Sequence, residues 1–236
     1  VLVRENTEGL FYARGRGDVR GDTEVFDTMR ITRAGTARVC EFAFDLAQQR
    51  AAQKGRDARV TCVDKANVFA SMAFFRKIFE EVAARHAGVA ADSAYVDAMA
   101  LNLVLKPWTF DVLVTENMFG DILSDLIAAL VGGMGMAPSA DLGDKHGVFQ
   151  PAHGTAPDIA GQGKANPTAM ILSAALMLRW LAQRHADQRL ADGATMLEGA
   201  VENVFASNAV RPFEFGGSSG TADITNAVIA ALKSAN

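Results

Sequence analysis

Apolar and polar positions along the 236-residue chain follow two different periods. Val1-Leu-Val3, Arg59-Val-Thr-Cys-Val63, Ala94-Tyr-Val96 and Asp111-Val-Leu-Val-Thr115 are short runs of strand character. Between them the apolar residues recur at helical spacing. Ala34 to Gln53 carries Val39, Phe42, Phe44, Leu46 and Ala47. Val68 to Ala84 carries Phe75, Ile78, Phe79 and Val82 as its expected core face. A third apolar helical run extends from Leu123 to Val131. Strands that alternate with helices predict an α/β sheet with crossover helices. Gly132, Gly133 and Gly135 break the pattern, which places an expected domain boundary between 1–131 and 132–236. A loop-rich segment from Ala137 to Pro167 then leads to helical patterns over Thr168 to His185, Ala191 to Ala206 and Thr221 to Leu232. Gly216-Gly-Ser-Ser-Gly220 forms a turn between the last two. Arg14 to Asp22, rich in Gly, Arg and Asp, predicts a turn or an extended hairpin.

Half of the residues are apolar, enough for a substantial core. The formal net charge of −4 lacks the basic excess that a nucleic-acid or membrane-surface partner would want. Cys40 and Cys62 lie in apolar surroundings and suit buried thiols of a reducing, cytoplasmic compartment. The given residues read as carrying neither a secretory leader nor a membrane-length apolar run, so neither is expected. The chain opens on Val-Leu-Val-Arg, without Met and as if in mid-strand, so an upstream part of the natural protein is expected to be missing. Gly15-x-Gly17 neither follows a strand nor opens an apolar helix, and is rejected as a dinucleotide fingerprint.

The chemistry gathers at four stretches of one form, a strand, then polar residues, then a helix. They are Arg4-Glu-Asn-Thr-Glu-Gly9, Val63-Asp-Lys-Ala-Asn-Val68, Tyr95-Val-Asp97 and Asn117-Met-Phe-Gly-Asp-Ile-Leu-Ser-Asp125. In α/β sheets, ligands bind beyond the carboxyl ends of the strands. Convergence of these ends would bring together Arg4, Lys65, Asn67, Asp97, Asp121 and Asp125. Asp121 and Asp125 are one helical turn apart on one face. Alone, such a pair is more often a solvated helix face. Beside Arg4, Lys65 and Asp97 it suits a hard divalent cation, Mg²⁺ or Mn²⁺, holding a multiply anionic small acid.

These motifs, with His153-Gly-Thr-Ala-Pro-Asp-Ile-Ala-Gly161, resemble the β-decarboxylating dehydrogenases of isocitrate, isopropylmalate, homoisocitrate, tartrate and D-malate. The resemblance covers nearly the whole chain. It implies a two-domain fold, a central metal-site and dimerisation domain followed by the C-terminal part of a cofactor-binding domain. Arg14 to Arg30 would form a β-arm that clasps a partner. It further implies NAD- and metal-dependent oxidative decarboxylation of a malate-type 2-hydroxy acid. Asp97, Asp121 and Asp125 resemble the metal carboxylates. Asp97 and Lys65 would reach the site from the second subunit of a homodimer with shared active sites. Arg4 resembles the arginine that grips a substrate carboxylate, and Lys65 the residue that helps remove the hydroxyl proton. Asn67 would lie near the nicotinamide. His153, Gly154, Thr155, Ala156, Pro157, Asp158 and Ile159, with Asn166, resemble the adenosine-binding loop. A carboxylate at Asp158 accepts from a free ribose diol and repels a 2′-phosphate, which favours NAD over NADP.

One position departs from the family. The enol-protonating tyrosine stands seven residues after the arginine, and here that residue is Phe11, with Tyr12 next. Phenylalanine donates no proton. On an extended strand Tyr12 would face away from Phe11's side, so it could serve only through a local shift of the backbone; otherwise another donor or water protonates the enol, or the step is impaired. The rival reading is a non-catalytic regulatory subunit of the same fold. Phe11 supports it; Lys65, Asp97, Asp121 and Asp125 oppose it. The Arg-Glu-Asn-Thr-Glu-Gly stretch resembles the isocitrate, homoisocitrate and tartrate/D-malate members more than the isopropylmalate enzymes of leucine synthesis.

Overall fold

In the computed structural model residues 1–234 are described, with Lys54 described by its backbone alone. The chain divides into two compact units, Val1–Ile127 and a second from Ala128 onward.

The first unit is built on a four-stranded sheet in the order β1-β6-β4-β5, parallel throughout. Its strands are β1 (Leu2–Arg4), β4 (Arg59–Asp64), β5 (Ala90–Tyr95) and β6 (Val112–Thr115). Between β1 and β4 lie a small antiparallel hairpin, β2 (Asp18–Arg20) with β3 (Glu24–Phe26), and helix α1 (Arg33–Lys54). The crossover helices are α2 (Ala70–Ala83) and α3 (Val96–Leu105), and α4 (Asn117–Leu130) follows β6.

Alternation along the strands makes two cores. Val60, Cys62, Val112 and Val114 meet α1 and α2 through Phe44, Met72, Phe75, Ile78 and Phe79. Val63 and Leu113 point the other way, onto Met99 and Leu103 of α3 and Leu123 of α4. Successive side chains leave a strand on opposite faces, so β4 and β6 are apolar on both and read as continuous runs. The expected face of α2 is observed, with Phe75, Ile78, Phe79 and Val82 all 2% exposed or less. Phe44 stacks on His86 at 4.9 Å, and His86 Nε2 lies 2.6 Å from Glu41, which ties α1 to the end of α2. Burial pushes the Cys40 thiol up to about 12 and the Cys62 thiol well above its ordinary value. Neither is a nucleophile at neutral pH.

The second unit packs α5 (Thr168–His185), α6 (Gln188–Ala206) and α7 (Thr221–Ser234). Val201, Val204, Ile224 and Val228 form its centre. A β-hairpin, β7 (Pro138–Leu142) with β8 (Gly147–Pro151), lies on α5. Ser173 Oγ of α5 donates to the Gln150 carbonyl at 2.8 Å, and Phe149 meets Trp180 at 5.8 Å.

Two expectations are corrected, and the loop-rich segment after Ala137 also carries β7 and β8. The strand around Ala94 starts at Ala90, and Val96 opens α3 instead of closing the strand. Leu10–Ala13 is a 3-10 turn, so the extended backbone assumed for Phe11 and Tyr12 does not occur.

Candidate active site at the carboxyl edge of the sheet

Because all four strands of the first sheet are parallel, their carboxyl ends share one edge. Register places Arg4 opposite Thr115, Thr115 opposite Val63, and Asp64 opposite Tyr95. The four polar stretches leave the sheet from this row.

Arg4 lies across the first turn of α4. Its Nε and Nη2 donate to Asn117 Oδ1 at 3.0 and 2.8 Å, and its Nη1 donates to Asp121 Oδ1 at 2.6 Å. Gly120 makes this possible, since a Cβ there would stand 2.5 Å from Arg4 Cγ. Asn117 is itself fixed, because its Nδ2 donates to the Glu8 carbonyl at 2.9 Å. Asp121 and Asp125 are both exposed on the same face of α4.

Sequence reasoning missed what holds this corner. Glu116 is fully buried and caps α4, accepting from the Phe119 amide at 2.7 Å and the Met118 amide at 3.1 Å. Burial raises its carboxyl above the ordinary range, with the Phe119, Met118 and Leu10 amides pulling the other way. Gly9, at φ 77°, passes so close that a Cβ would meet Glu116 Oε2 at 2.4 Å. Only glycine meets both demands. Glu5 and Glu8 are buried too. Glu5 accepts from the Thr7 and Glu8 amides, and Glu8 accepts from the Thr32 amide at 2.7 Å. The charged stretch after β1 is therefore a rigid, internally bonded loop with Arg4 as its projecting group.

Two strands away, Lys65 Nζ donates to Asp97 Oδ1 at 2.5 Å. That bond holds the Asp97 carboxyl below its ordinary value. Asp97 sits in the first turn of α3, where the helix dipole favours a carboxylate. Beneath them, Asp64 is fully buried and takes Arg76 in a bidentate pair at 2.7 and 2.7 Å. Asn67 is exposed in the turn after Lys65, whose carbonyl accepts from the Val68 amide at 3.0 Å.

Within one chain, then, Arg4 joins Asp121, and Lys65 joins Asp97, as separate pairs. Among the described residues no three His, Cys, Asp or Glu side chains gather as a metal-ligand cluster. Phe11 lies by Arg4, 5.7 Å from its guanidinium carbon. Tyr12 lies instead between two arginines, 4.2 Å from Arg16 and 4.7 Å from Arg30.

In the second unit, His153 Nδ1 lies 2.8 Å from the Gly154 carbonyl, and Ala156 takes a left-handed conformation that opens the short Pro157–Ile159 turn. Thr155 and Asp158 are exposed. The Gln162 side chain pins the Asp158 carbonyl at 2.8 Å, while no side-chain cap is made at this turn, so the carboxylate faces solvent. Asn166 is buried and turned inward. Its Oδ1 accepts from the Thr168 amide and hydroxyl at 3.0 and 2.6 Å, and its Nδ2 donates to Glu214 at 2.6 Å.

A parallel sheet with Arg4, Lys65, Asp97, Asp121 and Asp125 at its carboxyl edge is an enzyme-like arrangement for a small polyanion. The chain belongs to the isocitrate/isopropylmalate dehydrogenase family, whose sequence model matches residues 1–228. It is 45% identical over 229 residues to a 3-isopropylmalate/3-methylmalate dehydrogenase of Methanocaldococcus jannaschii, covering 97% of this chain and 66% of the relative. It is 40% identical over 230 residues to a homoisocitrate dehydrogenase of the same organism, covering 97% of this chain and 61% of the relative. The crystal structure of isocitrate dehydrogenase from Methylococcus capsulatus superposes with a TM-score of 0.86 at 36% identity, covering 98% of this chain and 66% of that one. The chain thus spans about two thirds of the length of these relatives.

Proposed function

We propose that the full-length protein oxidises and decarboxylates a malate-type 2-hydroxy acid, using NAD and Mg²⁺ or Mn²⁺. The observation that carries this reading is the common carboxyl edge, with Arg4, Asp121 and Asp125 at one end and Lys65 and Asp97 at the other. The donor set fits a hard cation, because Asp121 and Asp125 offer exposed carboxylates on one face and Asp97 offers a third. In a homodimer the Asp97 and Lys65 of one subunit complete the Asp121–Asp125 site of the other. The exposed apolar residues Leu101, Val104 and Leu105 of α3, Ile122 of α4, and Val19, Val25 and Phe26 of the hairpin support such a partner. No helix among the described residues is long and apolar enough to cross a membrane. The buried, protonated thiols suit the cytoplasm.

In this mechanism Arg4 binds a substrate carboxylate and is aimed by Asn117. A bound divalent cation supplies the Lewis acidity that eases loss of the 2-hydroxyl proton. Lys65 takes that proton and is oriented by Asp97. Bound NAD would supply the hydride acceptor, and Asn67 would lie on the nicotinamide side of that cofactor. The loop from His153 to Ile159 with Asn166 frames the adenosine, and Asp158 offers its free carboxylate to the ribose diol. Asn166 contributes by bracing this region, since its own side chain is already committed. Tyr12 is the phenol adjacent to Phe11, and its position among the arm's arginines makes it the acid to test for the enol.

The test is NADH formation by the full-length protein with Mn²⁺ across D-malate, tartrate, isopropylmalate, isocitrate and homoisocitrate. A metal-dependent signal with one acid establishes the reading. Silence with all five, from a folded dimer that binds Mn²⁺ and NAD, favours the regulatory subunit, the reading that Phe11 beside Arg4 supports.

A further inference from the structure

Lys65 carries its amine on a four-carbon stem, and its partner Asp97 is 67% exposed. An exposed ion pair restrains a lysine weakly, because water competes and the stem has many rotamers. Something else must fix the amine at one place. The Tyr95 ring is positioned to do so. Lys65 Nζ lies 5.6 Å from its centroid, and the Arg76 guanidinium carbon lies 5.2 Å from the same centroid. Both are within cation–π range. Arg76 is not free to wander, since Asp64 holds it bidentately and has no exposed side-chain surface. Asp64 is held in turn by its place at the end of β4 and by the Ala66 amide at 2.8 Å.

The contacts form a brace that runs from the rigid sheet outward, from Asp64 to Arg76, to the Tyr95 ring, to the Lys65 amine. Tyr95 ends β5 directly opposite Asp64, so the two strands set the spacing of the brace. We propose that Tyr95, braced by Arg76 on buried Asp64, is a positioning residue that holds the Lys65 amine at the Asp97 carboxylate. The ring meets the Lys65 amine, while the Tyr95 hydroxyl also bonds the Arg76 side chain. The catalytic consequence rests on the reading of Lys65 given above.

The test compares Tyr95→Phe and Tyr95→Leu in the full-length protein, with Tyr95→Met as the replacement if the leucine variant does not fold. Two readouts are taken. The first is steady-state NADH formation with Mn²⁺ and the acid that the wild type oxidises. The second needs no activity: trace acetylation of Lys65 by acetic anhydride at fixed pH, quantified on its peptide against the other lysines. The phenylalanine variant should match the wild type within about twofold in both. The leucine variant should lose about tenfold or more in kcat with KM for the acid within about threefold, and should label Lys65 several-fold faster. A leucine variant with wild-type kcat overturns the proposal, as does unchanged labelling. A phenylalanine variant as slow as leucine also overturns it, because the hydroxyl would then be the acting group. Should the wild type oxidise no acid, the role of Lys65 in catalysis fails, while the labelling still decides whether Tyr95 holds it.

Discussion

Gly120→Ala separates the function of the carboxyl edge from its stability. The new Cβ would stand 2.5 Å from Arg4 Cγ, 2.8 Å from Arg4 Cβ and 2.9 Å from Arg4 Cδ. These atoms are the base of the side chain, so the whole arginine must move. Two terms then oppose each other in folding. Alanine gains about 0.8–1 kcal/mol over glycine inside a helix. Crowding a packed contact costs about 1–3 kcal/mol. Loss of the Arg4–Asp121 pair adds little, since Asp121 is 54% exposed and such pairs are worth about 0–1 kcal/mol. The net loss of unfolding free energy should therefore lie between about 0 and 3 kcal/mol. The substrate feels the change more. A displaced Arg4 loses its two bonds to Asn117 and no longer points at the site. A charge-assisted hydrogen bond to a carboxylate is worth about 1.5–3 kcal/mol, or roughly 10- to 100-fold in affinity. Urea unfolding followed by fluorescence, set beside substrate saturation curves of the full-length enzyme, measures both. A KM within twofold of wild type in a folded variant would refute the role given to Arg4.

Other predictions follow from the same contacts. Arg76→Met leaves the buried Asp64 carboxylate with the Ala66 amide and the weak Cys62 thiol donor, and should cost about 3 kcal/mol in urea unfolding; a loss under about 1 kcal/mol would mean that water replaces the arginine. Asp111 is buried, and its carboxyl lies below the ordinary range. Burial opposes this shift, but the bonds from Arg50 and the charge of Arg56 outweigh burial. A depressed folded-state value stabilises the fold above the unfolded value of about 3.9 and loses that contribution as pH falls through the folded value. The stability gap between wild type and Asp111→Asn should accordingly be full near neutrality and shrink in acid, and a gap independent of pH down to acid unfolding would contradict this. Asp158→Lys should weaken NAD use by about tenfold or more relative to NADP, measured as the ratio of kcat/KM values; an unchanged ratio would leave the residue as a turn former.

Much of this fold is legible in the sequence because burial imposes period. The strands β4 and β6 are apolar on both faces, and α2 shows a single apolar stripe. Helix α5 coincides with its pattern from Thr168 to His185. The β7–β8 hairpin escapes the same reading, since its strands are short, half-exposed and begin or end in proline. The turn at Leu10–Ala13 escapes because a Leu-Phe-Tyr run suits a strand equally well. Motif residues were legible where several stand together, as at Asn117 to Asp125. The roles of Asp64, Arg76 and Tyr95 were not. They come from contacts between separate elements, Arg76 on α2 with Asp64 on β4 and Tyr95 on β5, and no local pattern announces such a meeting. Glu116 is a local cap of α4, bonded to the Met118 and Phe119 amides, and escapes because a buried glutamate cap looks like any other polar residue before a helix.

In the proposed dimer each site is shared between two subunits, with Asp121 from one and Asp97 from the other. Asp97→Asn and Asp121→Asn proteins should each be inactive in Mn²⁺-dependent NADH formation. Unfolded together and refolded as a random mixture, half the dimers carry one of each, and each of those rebuilds one intact site of two. The mixture should recover about a quarter of wild-type activity, by the same symmetry. No recovery from a mixture that contains the mixed dimer would place all three carboxylates in one chain and contradict the account.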